Sequence, residues 1–188
     1  MKIKLLIISM LISINVLSQE VKVTLSTDAI SGDKSLFTEY WLNFGVDKSR
    51  GFLSGNISYM ESEYGGFYYL SLMFTGKIGC SLKYGKLLIK LKNGELIEMI
   101  NTSDIDCGMF KGIYFGSGEL GQDVYNMPIE EVVKLQESIF NSLLEDEWEL
   151  IRLWGSDYYT DIYPNETRKI KNPSAFFQKH IQAIQDKP

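Results

Sequence analysis

The residues best suited by type and spacing to chemistry are Gly116-Ser117-Gly118-Glu119-Leu120-Gly121, a literal G-x-G-x-x-G. That fingerprint holds a pyrophosphate only where the loop opens directly into a helix whose N-terminal amides face the ligand. Here the next helical pattern starts at Pro128, and Glu119 would repel phosphate. The segment therefore reads as a glycine-rich loop, and no cofactor is expected. His180 is the only histidine, so it alone could serve a serine or cysteine nucleophile, and a histidine metal cluster is ruled out. It stands four residues after Phe176 and four before Ile184, on an apolar stripe, which is the place of a packing histidine. Asp104 and Asp106 could offer two oxygens to a cation, but calcium takes 6–8. The pair reads as a solvated turn, and no metal is expected. Glu98, on an otherwise apolar strand face, is expected to sit at a sheet edge or to pair with Arg152.

Aromatic residues give the one binding hypothesis. Trp148, Trp154, Tyr158, Tyr159 and Tyr163 crowd a single region, as do Tyr64, Phe67, Tyr68 and Tyr69. Most of these rings are needed for packing. Tyr158 and Tyr159 are consecutive, however, and on a strand they face opposite sides. Rigid rings beside polar groups suit sugars or peptides, so Trp154, Asp157 and Tyr159 are the expected ligand contacts.

The elements that would position these residues centre on Leu87–Ile100, two apolar runs around Asn93-Gly94. Asn-Gly accepts the positive φ values of a two-residue hairpin turn. That turn pairs Lys92 with Glu95 and Leu91 with Leu96. It puts Leu87, Ile89, Leu91, Leu96 and Ile100 on one face with Glu98. Carried outward, the register sets Cys80 opposite Cys107. Ser35–Phe44, Asn56–Met60, Phe67–Phe74 and Met109–Phe115 read as further strands, the third of them covered on both faces. Residues 20–34 read as polar chain with a turn at Ser31-Gly32-Asp33. Pro128 to about Asn141 is an amphipathic helix entered through Asn126. Trp148–Trp154 and Tyr158–Tyr163 form a second hairpin. Asn172-Pro173 opens a C-terminal helix whose stripe is Phe176, Phe177, His180, Ile181 and Ile184. The order implies an α+β domain, an antiparallel sheet of hairpins with one internal and one C-terminal helix packed on it.

The N-terminus bounds the compartment. Lys2 and Lys4 precede an apolar run from Leu5 to Leu17, and Val16 and Ser18 suit signal-peptidase cleavage before Gln19. A spanning helix needs about 20 apolar residues. The run is shorter and contains Ser13 and Asn15. Residues 1–18 are thus a signal peptide and 19–188 one exported domain, with no membrane insertion after cleavage. No cysteine follows the run until Cys80, so the chain is not a lipoprotein. Of the 188 residues, the exported part keeps 17 Lys+Arg against 24 Asp+Glu, a net charge of −7. That balance suits neither nucleic acid nor an anionic membrane. Export into an oxidising compartment, periplasmic or extracellular, favours a Cys80–Cys107 disulfide over two buried thiols.

Gly85–Asp106, then Tyr125-x-Met-Pro-x-Glu-Glu-Val-Val-Lys-Leu135, then Leu150-Ile-Arg-Leu-Trp154 together resemble small uncharacterised exported proteins of Bacteroidetes-type bacteria. The resemblance covers roughly the second half of the exported domain. It implies the hairpin–helix–strand–helix order and export, and no activity. The functional expectation is a secreted or periplasmic non-enzymatic binding module for a protein, peptide or glycan. The alternative is an exported, glycosidase-like hydrolase whose carboxylates converge only in the fold.

Overall fold

A computed structural model describes residues 20–62, 65–108, 111–117 and 128–187. The strands are β1 (Val23–Thr27), β2 (Lys34–Thr38), β3 (Trp41–Asp47), β4 (Phe52–Ser62), β5 (Gly65–Phe74), β6 (Lys86–Leu91), β7 (Leu96–Asn101), β8 (Lys111–Ser117), β9 (Trp148–Trp154) and β10 (Tyr159–Pro164). Helix α1 (Ile129–Glu145) lies between β8 and β9. After a 3₁₀ turn at Pro173–Ala175, α2 (Phe176–Gln185) ends the fold. The chain is α+β, as its pattern implies. Residues 1–19, and with them the signal-peptide reading, lie outside the described residues, as do the Asn126 entry and the loop beyond Ser117.

Every pairing is antiparallel. The ladders run from β3 through β4, β5, β8, β7, β6, β9 and β10 back to β3, so the sheet curls on itself. Closure is narrow: β8 pairs with β5 through residues 111–115 and with β7 through 115–117. Helix α1 fills the splayed seam. The Gln136 side chain accepts from Tyr68 N (3.0 Å) and donates to Tyr68 O (2.9 Å), and the Tyr68 ring stacks on Phe140. The β1–β2 hairpin continues the sheet beyond the far half of β4.

Two bulges turn extra rings toward α2. Trp41 and Phe44 are three residues apart, as are Trp148 and Ile151, yet all four are buried. A regular strand cannot do this, because its side chains alternate. The β3 register shifts between Trp41 and Gly45, where Asn43 takes φ 60°. The β6–β9 register shifts at Lys90/Leu91, leaving Glu149 unopposed and free to reach Lys90 (2.9 Å). Phe44 then stacks on Phe176 (centroids 4.0 Å apart), and Trp148 Nε1 donates to Pro173 O (2.8 Å). The whole expected stripe of α2 is buried.

Several expectations change. The Asn-Gly turn spans three residues: Gly94 N donates to Leu91 O, Leu91 N to Glu95 O, and Gly94 has φ 93°. That is a tight turn closed by a left-handed glycine bulge. Its register opposes Ile89 to Ile97 and Leu87 to Met99. Ile97 and Met99 therefore face the core, while Leu96 is exposed and Ile100 is half-buried on the outer side with Glu98. The cause is tertiary, since Lys92 N donates to Glu147 O and Asn93 N to Asp146 Oδ2. Glu98 pairs with Lys86 (2.7 Å), not with Arg152. Strand β5 buries only Leu70, Leu72 and Phe74, and Tyr69 is exposed on its other face. The Ser35–Phe44 run is two strands broken at Glu39-Tyr40, and the polar N-terminal stretch contains β1.

Candidate functional site

The second hairpin forms, but its second strand starts at Tyr159 and not at Tyr158, so the turn is one residue longer than read and sets Tyr159 opposite Trp154 and Asp161 opposite Arg152. Residues two apart share a face, so these four side chains stand together on the outside of the sheet. Arg152 donates from Nε to Asp161 Oδ1 (2.6 Å) and from Nη2 to Oδ2 (2.8 Å). This two-point contact fixes the plane of the guanidinium. One side of that plane covers the Tyr159 ring, 4.2 Å from its centroid, and the Trp154 ring lies 5.8 Å away. The two rings are 6.0 Å apart. Arg152 holds the Asp161 carboxyl below the usual range, and Asp161 raises the guanidinium in return.

Among the three expected contacts, the fold brings Trp154 and Tyr159 together. Asp157 lies in the turn, bonded to the Ser156 hydroxyl (2.8 Å) and not to the rings. That turn docks on the chain around Cys80. Ser156 N donates to Cys80 O, Cys80 N to Ser156 Oγ, and Asp157 N to Ile78 O. The approach is close enough that a Cβ on Gly155 would stand 2.0 Å from Ile78 O. Cys80 and Cys107 form a disulfide with Cα atoms 4.1 Å apart, next to a Ser81–Asp106 bridge. The pairing holds although the register that suggested it does not apply. The hairpin runs one residue out of step, and the irregular chain at residues 82–85 and 102–105 restores the alignment. The disulfide thus braces the turn that presents the rings.

Sequence reasoning missed Arg152 and Asp161 as a pair, and with them a groove of about 290 Å³ beside Tyr159. Lys48, Lys77 and Tyr158 line it with Asp161 and Asp47. Asp47 is committed to Gly51 N (2.6 Å), the Ser49 hydroxyl and the Thr160 hydroxyl (3.0 Å). Both acids are occupied. Among the described residues neither lysine has an ion pair, so the open charge of the groove is positive.

A larger cleft of about 1010 Å³ runs between the start of β1 and α2, and Glu147, Glu20 and Asp186 line it. Glu147 accepts from Asn172 Nδ2 (2.8 Å), Lys92 Nζ (2.5 Å) and Ser174 Oγ (2.6 Å), which together lower its pKa to about 2. A glycosidase acid needs a carboxyl raised toward neutrality. Asp28 and Asp161 are also pulled down, by the bonds to Ser31 and Ile30 and by Arg152 respectively. His180 lies in the core. Thr38 Oγ1 accepts from Ile57 N and donates to Ile57 O, so His180 Nδ1 is the donor in its 2.6 Å contact with that hydroxyl. Its Nε2 meets no partner in the described structure, and burial pushes its pKa down to about 3. Asp104 pairs with Lys83, and Asp106 accepts from Gly108 N. Among the described residues no group of acids, histidines or cysteines could hold a metal ion, and no helix is long and apolar enough to cross a membrane.

No protein-family model, curated protein or solved structure matches the chain.

Proposed function

We propose that the chain is an exported, non-enzymatic binding module that holds a peptide or glycan on the outer face of β9 and β10. The observation that carries this reading is the Arg152 guanidinium, pinned by Asp161 and laid over Tyr159. It makes a rigid plane facing water in a place the core does not use. Tyr158 and Tyr159 are each 51% exposed. Such preset rings bind with little loss of side-chain freedom. Lys48 and Lys77 suit a ligand that carries an anionic group beside its stacking face. The disulfide and the apolar N-terminal segment support export. Glu147, kept ionised by its three donors, does not suit the general acid that glycoside hydrolysis needs.

The test is a panel of neutral and acidic oligosaccharides and peptides, read by titration with wild type, Tyr159→Ala and Trp154→Ala. Binding lost in both variants, at unchanged melting temperature, is the expected result. Binding unaffected by both substitutions, or turnover of a panel member, overturns the reading.

A further inference from the structure

Among the described residues strand β1 is the open edge of the sheet, since its one strand neighbour there is β2. We infer that a second copy of this chain pairs antiparallel with that edge, Leu25 opposite Leu25, joining two sheets into one.

Three observations fix the register. First, Asp28 N donates to Asp33 O and Glu39 N to Lys22 O, so the even-numbered positions of this stretch bond inward to β2. In an antiparallel ladder the alternate residues then turn their N–H and C=O groups to the other side. The outward groups belong to Val23, Leu25 and Thr27. A two-fold centred on Leu25 opposes Leu25 to itself and Val23 to Thr27, satisfying all of them. Second, the same two-fold brings Lys22 of each copy opposite Asp28 of the other. Both are exposed, and of the Asp28 carboxylate only Oδ1 is used by its turn. Third, natural edge strands are guarded by lysine, proline or a bulge. Val-Thr-Leu-Ser-Thr has none of these within it, the lysine at its start, Lys22, being the one the two-fold sets against Asp28, and Leu25 is 58% exposed. The register also carries the partner turn bearing Ile30, 99% exposed, toward the cleft where Leu144 and Ala183 lie beside α2.

The experiment is sedimentation of the purified protein from micromolar to near-millimolar concentration, with two variants. Leu25→Pro removes the outward N–H and leaves the β1–β2 bonds in place, because position 25 does not donate to β2. Lys22→Glu sets like charges opposite one another. Wild type is expected to dimerise, Leu25→Pro to stay monomeric with its melting temperature kept, and Lys22→Glu to dissociate about tenfold more readily. The double variant Thr24→Cys/Ser26→Cys, which the register places face to face, is expected to form a covalent dimer on oxidation. A monomeric wild type at every concentration overturns the inference. So does a dimer that Leu25→Pro and Lys22→Glu both leave intact.

Discussion

Two aromatic clusters sit on opposite faces of the sheet, the inner one on β3, β9 and α2 and the outer one on β9 and β10. Inside, Trp148, Phe44, Phe176 and Trp41 are buried; Trp148 Nε1 donates to a backbone carbonyl and Trp41 Nε1 to the Glu39 carboxylate (3.4 Å). Outside, Trp154 and Tyr159 are covered by a single guanidinium. Ring content does not tell them apart. The difference lies in what fills most of the remaining contacts: other buried rings and apolar groups inside, with polar side chains around Trp41, and an ion pair with water outside. A ring held by charge is available to a partner, whereas a ring held by packing is not.

The comparison can be broken at several points. Trp148→Ala should cost about 3–5 kcal/mol, because it opens a large cavity in the core and removes the indole bond to Pro173 O, which keeps only the Phe176 N–H. Urea unfolding measures it, and a loss no larger than that of Trp154→Ala would erase the distinction between the clusters. His180 should make the inner cluster sensitive to acid. Its pKa falls from about 6.5 unfolded to about 3 folded. The unfolded chain therefore takes up a proton that the core refuses. Stability is complete above pH 6.5 and declines toward pH 3, by roughly 5 kcal/mol at full extent. Glu147, held near 2, adds to the decline only below its ordinary range. Between pH 6.5 and 5 the slope belongs to the histidine, and His180→Phe should flatten it. Reducing the disulfide, which spans 27 positions of sequence, should cost about 3–4 kcal/mol. It should also loosen the 155–158 turn, seen as faster amide exchange at Ser156 and Asp157. Last and smallest, Tyr159→Ala should change stability by less than about 1 kcal/mol, the range of exposed positions.

How much of this was legible depends on how local the cause is. The stripe of α2 depends on spacing along one helix, and every residue of it is buried as read. The existence of the hairpin at β9 and β10 was likewise readable from its own alternation, although its turn is one residue longer than read. The Asn93-Gly94 turn was half legible. Its glycine does adopt positive φ, but bonds from Lys92 and Asn93 to residues 146 and 147 select a three-residue loop and slide the strand by one. Residues fifty positions away made that choice. The bulges at Asn43 and Glu149 were invisible for the same reason, since they exist to serve helix α2. The Arg152–Asp161 contact could have been found from the hairpin alone, because a turn at residues 155–158 opposes the two directly.

Gln136 has a consequence for the order of assembly. Among the described residues, β5 before Leu70 meets no strand on its seam side, and one carboxamide answers both backbone polar groups of Tyr68. Until α1 arrives, that stretch is a raw margin open to any passing extended chain. Helix α1 comes from sequence almost seventy positions later, so its docking is a late, long-range event. The protein's window of exposure to misassembly closes when that side chain seats. Chaperone dependence and refolding yield should therefore follow Gln136 more closely than native stability does.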